Sequence, residues 1–315
     1  MSEQGELKEN TVRLQNVFLH VTRACNCHCS YCYISAGAAM PDEMTALEFS
    51  SLLPEILALR PRKVVVTGGE PLLRDDILPL FSDLSAADPD HHVLRCLNTN
   101  GYLVTKKLAH RLVPLADEVR VSLDGMRLRN DAIRGEGSFD AAVRALERLY
   151  AVGFEPIVMV TVTSATLPDL EELLCFLDGM NITRIHLNRF RPIGRAMEYK
   201  KWQVQQDEVR VITRKVLQRK FHDQPPLPNL PEPSETSSCG VGSFVNILPN
   251  GDVYPCHVLM SREFHCGNVR KQSLMEICSH NGLLGKLAAS DFKEFNKKHG
   301  CGDMGQPPTS DMYAL

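Results

Sequence analysis

Between residues 17 and 220 the chain repeats one pattern six times, a short apolar run followed by an amphipathic stretch. The runs VFLHVT (17–22), KVVVT (63–67), VLRCLNTN (93–100), EVRVSL (118–123), PIVMVTVT (156–163) and RIHLN (184–188) are short and mostly rich in β-branched residues, so they read as strands. Helical spacing fills 45–59, 75–86, 105–113, 138–152 and 168–179, and a last helix is expected over 207–220. Thr45 with Glu48 three residues on makes a capping box, and Ser138 after Gly137 opens a later helix. Strand–helix alternation of this kind demands a parallel sheet with right-handed crossovers, hence an α/β fold. In such a sheet the loops beyond the strands' C-terminal ends carry the chemistry.

Composition narrows the setting. The 315 residues are 43% hydrophobic and 23% charged, as in a globular domain, and suffice for one large domain with a small appendage. A net charge of −3 argues against non-specific binding to nucleic acid or to anionic membrane. The basic positions Arg210, Arg214, Lys215, Arg219 and Lys220 read as the solvated face of a helix. The polar start MSEQGELKEN lacks signal-peptide order, and no run of about 18 apolar residues occurs, so a soluble cytoplasmic protein is expected. There a disulfide framework is a poor reading of eleven cysteines, and metal or redox chemistry is a better one. Cys96 and Cys175 lie in a strand-like and a helix-like run and are expected to be buried as small hydrophobes. The other nine fall in two groups, one at each end of the chain.

The first group, TRACNCHCSYCY, directly follows the first strand, with Cys25, Cys29 and Cys32 spaced C-x3-C-x2-C. Thiolates are soft ligands for an iron–sulfur cluster or for zinc. Three of them on a short loop leave one iron of a cubane open to a small-molecule ligand, much as a catalytic metal keeps an open position. Cys27 brings a fourth thiol, so a closed zinc tetrahedron is the alternative; sitting two residues from both neighbours, it is expected to point elsewhere. Further loops join this one. The second strand ends in Gly68-Gly69-Glu70-Pro71, whose glycines allow a close backbone approach and whose carboxylate can accept from an amine. The third ends in Asn98-Thr99-Asn100-Gly101, the fourth in Ser122-Leu123-Asp124-Gly125, and Arg134-Gly135 follows.

The cysteine loop, with Tyr31 before its last cysteine, resembles the signature of the radical S-adenosylmethionine (SAM) superfamily. Gly68, Gly69, Glu70 and Pro71 are similar to its GGEP element, Asn98 and Asn100 belong to a TNG-like element, and Ser122 to an SLDG-like one, in matching order. The resemblance covers about residues 17–195 and implies a partial (β/α)6 TIM-like barrel. It implies a 4Fe–4S cluster on Cys25, Cys29 and Cys32, with SAM bound to the open iron through its amino and carboxylate groups. The GGEP loop would then contact the SAM amine, Ser122 would lie near SAM, and Arg134 would meet its carboxylate as a bidentate partner. An arginine at that place is otherwise a surface residue before a turn. In that family an electron cleaves SAM and the 5′-deoxyadenosyl radical takes a hydrogen atom from the substrate.

Residues 222–238 hold five prolines and read as a linker between a core domain, 1–221, and a C-terminal domain, 239–315. SFVNILPNGDVYPC reads as a hairpin turning at Asn250-Gly251, and 273–288 as a helix with a break at Gly282. Cys239, Gly251 and Cys256, spaced C-x11-G-x4-C, resemble the SPASM/twitch extension, which binds auxiliary 4Fe–4S clusters. That resemblance implies an auxiliary cluster on Cys239, Cys256 and Cys301, with Cys266 able to complete it; a zinc-loaded or empty module is the alternative. Fewer cysteines follow than in a full SPASM domain, so a second auxiliary cluster is not expected. Cys278 reads as packing, and either Cys266 or Cys278, if free near the mouth, would serve as a hydrogen-atom donor to a substrate radical.

The function expected is hydrogen abstraction from an unactivated C–H bond, with an external electron donor such as flavodoxin or ferredoxin. With about sixteen residues before the first strand, no peptide-recognition domain is expected there. This favours a small molecule, an aminocyclitol, sugar or cofactor precursor, that is oxidised, epimerised or crosslinked. The alternatives are a maturase of a ribosomally made peptide and, from another class, a non-catalytic zinc or iron–sulfur scaffold or sensor.

Overall fold

The computed structural model describes residues 11–205, 207–209, 211–213, 241–290 and 313–314. The expected alternation is present. Strands β1 (Asn16–His20), β2 (Lys63–Thr67), β3 (Leu94–Thr99), β4 (Glu118–Ser122), β5 (Ile157–Val162) and β6 (Arg184–Arg189) run parallel in sequence order. Between them lie α1 (Ala46–Ala58), α2 (Ile77–Ala87), α3 (Lys106–Leu112), α4 (Arg127–Arg134), α5 (Ser138–Tyr150) and α6 (Leu170–Gly179). The Thr45–Glu48 capping box opens α1. Ser138 is the first residue of α5, and Gly137, at φ +77°, is its cap. Helix α4 was not expected: its sequence RLRNDAIR is too polar for the apolar run that marks the other helices.

The C-terminal segment does not stand apart. Strand β7 (Phe244–Ile247) pairs in parallel with β1, Asn16 against Phe244 through Leu19 against Ile247. Strands β8 (Asp252–Tyr254) and β9 (Gly267–Asn268) extend it antiparallel, and β10 (Tyr313–Ala314) flanks β6. The sheet thus has ten strands, ordered β10-β6-β5-β4-β3-β2-β1-β7-β8-β9. The β7–β8 hairpin turns at Asn250-Gly251 as expected; Gly251 adopts φ +87°, a left-handed conformation that favours glycine. The helical stretch after it breaks at Gly282 into α7 (Leu274–Ile277) and α8 (Leu283–Ala288). The Pro-rich segment 222–238 and most of the expected helix 207–220 lie outside the described residues; 207–209 and 211–213 are helical.

The sheet's two faces differ. Val17, Leu19, Val64, Val66, Leu97, Val119, Val121, Val158, Val160 and Ile185 point to the helices and are fully buried with Phe49, Ile56, Phe81, Leu146 and Leu149. Each such side chain contributes about 2 kcal/mol of apolar burial. The other face carries Phe18, Asn98, Ser122, Met159, Thr161, His186 and Asn188, all half-buried. It is the polar inner wall of an open half-barrel, and it explains why the strands alternate although they sit in a parallel sheet. Among the described residues no helix is long and apolar enough to cross a membrane. Cys96 is buried as expected, but Cys175 is exposed: its place on α6 turns it away from Leu173, Leu174 and Leu177, which face the core.

Candidate active site

The cysteine loop is seated on the mouth of the half-barrel by main-chain bonds. Gly37 N donates to Arg23 O at 3.0 Å and Cys25 N to Gly37 O at 2.9 Å, which closes the loop on itself. Gly69 N donates to Thr22 O at 2.7 Å and Glu70 N to Ala24 O at 2.8 Å. A Cβ on Gly69 would stand 2.1 Å from Ala24 O, and one on Gly68, at φ +140°, 2.4 Å from Thr22 O. The paired glycines therefore permit a close approach to the backbone of the cysteine loop, a use that sequence spacing did not disclose.

Glu70 is fully buried and accepts from Asn100 N at 2.7 Å, Thr99 Oγ1 at 2.8 Å and Leu72 N at 3.1 Å. Burial pushes its carboxyl up to about 7 against those hydrogen bonds. Pro71 is buried where a short 3-10 turn begins, directly after Glu70. Asn100 Nδ2 donates to Asn26 Oδ1 at 2.8 Å and reaches Cys27 Sγ at 3.4 Å and Cys25 Sγ at 3.9 Å. Asn98 Nδ2 donates to Thr67 Oγ1 at 3.3 Å, while its buried Oδ1 has no protein partner. Ser122 ends β4 on the inner face, half-buried.

Arg134 is buried, so the surface reading of this residue is corrected. Its Nε donates to Asp124 Oδ2 at 2.5 Å, Nη2 bonds the Tyr31 hydroxyl, and Nη1 reaches Cys29 Sγ at 3.9 Å. Asp124 also receives the Tyr31 hydroxyl and Thr161 N, the latter at 2.7 Å, and its own N donates to Asn130 Oδ1 at 2.9 Å. Asp124 and Tyr31 stand in the quoted motifs but were given no role there; the fixed geometry around Arg134 supplies one. Arg195, from a PIGR stretch that motif reading passed over, donates to Cys29 O at 3.1 Å and Ala36 O at 2.6 Å.

The thiols form a graded set. Cys27 does not point away: its thiol hydrogen-bonds those of Cys25 and Cys29. The two-residue spacing turns it back between them, and Asn100 fixes it there. That hydrogen bond lowers Cys25 and brings Cys29 down to about 6, with Arg134 assisting at Cys29 against burial, while Cys27 itself is raised. Burial raises Cys32, although Ala36 N donates to its Sγ at 3.3 Å. A soft donor set with amide and guanidinium donors around the sulfurs fits an iron–sulfur cluster. Among the described residues no three His, Cys, Asp or Glu side chains surround one point at single-ion distances, whereas a cubane takes each thiolate on a separate iron.

Of the C-terminal cysteines, Cys239 and Cys301 lie outside the described residues. Val258 N donates to Cys256 Sγ at 3.3 Å, so the 256–258 turn is organised around that sulfur. Cys266 is half-buried with Sγ 3.5 Å from Phe264 O, and Cys278 is fully buried in the apolar core; burial raises both thiols to about 12. His257 joins the two cysteine groups: its ring lies 5.1 Å from that of Tyr33 and 4.3 Å from that of Phe18. None of the described cysteines is in a disulfide.

Comparison with known proteins accords with this geometry. The model of the radical SAM superfamily matches residues 19–177, and that of SPASM, an iron–sulfur cluster-binding domain, residues 239–303. The mycofactocin maturase MftC of Mycobacterium tuberculosis is 33% identical over 267 residues, covering 79% of this chain and 66% of the relative. The chain thus spans about two thirds of that relative's length. Pre-heme d1 synthase of Dinoroseobacter shibae is 32% identical over 183 residues, 57% of this chain and 44% of the relative. The crystal structure of Streptococcus suis SuiB bound to its precursor peptide SuiA superposes with a TM-score of 0.72 at 16% identity, covering 91% of this chain and 70% of that one, and so shares the fold.

Proposed function

The chain belongs to the radical SAM superfamily and carries a SPASM extension, and from that premise we propose that it is a maturase acting on a ribosomally made peptide. It is an enzyme with a SAM-binding 4Fe–4S cluster and an auxiliary cluster, which removes the scaffold reading and the zinc one. When bound, that cluster supplies the electron that cleaves SAM and so starts hydrogen abstraction from the substrate. The observation that carries the peptide reading is the likeness to MftC over 79% of the chain. It moves the balance away from the small molecule that the short N-terminal segment favoured.

The residues take these roles in the proposal. Cys25, Cys29 and Cys32 hold the cluster, and the Gly68–Pro71 loop contacts the SAM amine, with the buried Glu70 carboxylate tying that loop to Thr99 and Asn100. Asn98, Asn100, Ser122 and Arg134 line the SAM site, Arg134 oriented by Asp124. Cys239, Cys256 and Cys301 hold the auxiliary cluster. Cys266, half-buried, keeps more access than Cys278 for donating a hydrogen atom. Residues 1–221 form the core and 239–315 the extension, joined by 222–238. A reduced flavodoxin or ferredoxin delivers the electron, and a reducing cytoplasm suits the thiols.

A second reading keeps one observation, the 32% identity to pre-heme d1 synthase, under which the substrate is a cofactor precursor. The test incubates the anaerobic enzyme with SAM, a reductant and short peptides encoded beside its gene. A peptide mass change accompanied by 5′-deoxyadenosine supports the maturase. Deoxyadenosine formed with a tetrapyrrole and with none of the peptides overturns it in favour of the second reading.

A further inference from the structure

After β6 the chain folds back over the cysteine loop. Gly194 adopts φ +59°, and a Cβ there would stand 2.3 Å from Tyr33 O and 2.6 Å from Cys32 O. Its lack of a side chain lets the segment press on the loop's backbone, which brings Arg195 N to Cys32 O at 3.1 Å. The guanidinium then enters the loop: Nε donates to Cys29 O at 3.1 Å and Nη1 to Ala36 O at 2.6 Å. These bonds fix the plane of the fork. The third nitrogen, Nη2, is buried and has no partner in the protein.

A guanidinium is always charged and all its nitrogens donate. Leaving such a donor buried and unsatisfied is costly, so a site that holds it there implies an acceptor. Of the other arginines at the loop, Arg134 is paired with Asp124, and Arg23 donates to Ser35 O at 3.1 Å. Arg195 forms no ion pair with a described carboxylate, so its charge is available to the loop's contents.

We propose that Arg195 is a cluster-positioning residue whose Nη2 donates to a sulfur of the cluster held by Cys25, Cys29 and Cys32, and whose charge sets that cluster's reduction potential. Adding an electron makes the cluster more negative. A cation beside it stabilises the reduced form and raises the potential, as a hydrogen bond to sulfur does. The residue therefore makes the cluster easier to reduce. The inference rests on the family reading but not on the identity of the substrate.

The test is a redox titration of the reconstituted full chain, followed by the electron paramagnetic resonance signal that changes when SAM is added. Arg195→Gln is expected to keep its iron and to shift the one-electron equilibrium at least tenfold toward the oxidised form, which is 59 mV more negative. Arg195→Lys, which keeps the charge, is expected to fall between that variant and the wild type. A Gln variant with full iron and the wild-type midpoint overturns the proposal, whether or not SAM binding weakens. If the Gln variant loses its cluster, Arg195→Met decides by the same titration, and a midpoint equal to the wild type overturns the proposal. Loss of the cluster from both makes Arg195 a brace for the loop and also overturns it. A wild-type protein with no SAM-responsive signal would instead sink the family-based cofactor reading.

Discussion

The wholly buried Asp124 carboxylate holds Arg134 at 2.5 Å, accepts from the Tyr31 hydroxyl itself, and reaches Cys29 through Arg134. The pair ties the end of β4 to the cysteine loop. Removing one partner leaves the other charge buried and uncompensated. Asp124→Asn is expected to destabilise the protein by about 3–5 kcal/mol. Anaerobic urea unfolding of the holoprotein measures the loss, and iron content is expected to fall with it; a change below about 1 kcal/mol would contradict this account.

Gly69 makes a sharper case, because what a side chain would strike is backbone. Gly69→Ala is expected to cost more than about 2 kcal/mol and to lower iron content, since Ala24 O cannot swing aside without moving the cysteine loop. Gly37→Ala is the control: a Cβ there meets nothing within 4 Å, so a change within about 0.5 kcal/mol is expected.

Glu70 gives a pH dependence. Its carboxyl sits near 7 in the folded protein, above the usual range, because it is buried. The folded state therefore holds a proton that the unfolded state releases between about pH 4.5 and 7, and Glu70's contribution to stability declines as pH rises through that window. Urea unfolding of the holoprotein at pH 5 and pH 8 checks this, and the decline should be smaller in Glu70→Gln.

Cys27 separates ligation from support. Cys25→Ala, Cys29→Ala and Cys32→Ala are each expected to lose about four irons and all deoxyadenosine formation. Cys27→Ala should keep both. In the cluster-free protein, however, it removes the hydrogen bond that lowers Cys29, so iodoacetamide labelling of Cys29 at pH 7 should slow. Iron lost from Cys27→Ala would make it a ligand.

The alternation of strands and helices was legible because each strand buries one face against a helix. Val17 and Leu19, or Val64 and Val66, carry that signal in period two. Helix α4 was not legible, because it earns its place through Asn130 and Arg134, polar residues whose partners come from other loops. The cysteine loop was readable from its spacing, yet Cys27 was misread: spacing gives separation along the chain, whereas thiol direction depends on Asn100, from a different strand. Arg195 was missed for the same reason, since its partners are carbonyl oxygens, which no side-chain motif encodes. The parallel seam between β1 and β7 gave no advance sign either, because a parallel neighbour can come from anywhere in the chain.

That seam also governs the order of assembly. During synthesis β1 is the first of these strands to emerge, yet it gains its second neighbour only when Phe244 arrives to pair with Asn16. Until then the edge leading into the cysteine loop presents unpaired amides and carbonyls, a template for the wrong partner. Contacts so distant in sequence form slowly. A nascent chain stalled before residue 244 would therefore be the species most in need of a chaperone.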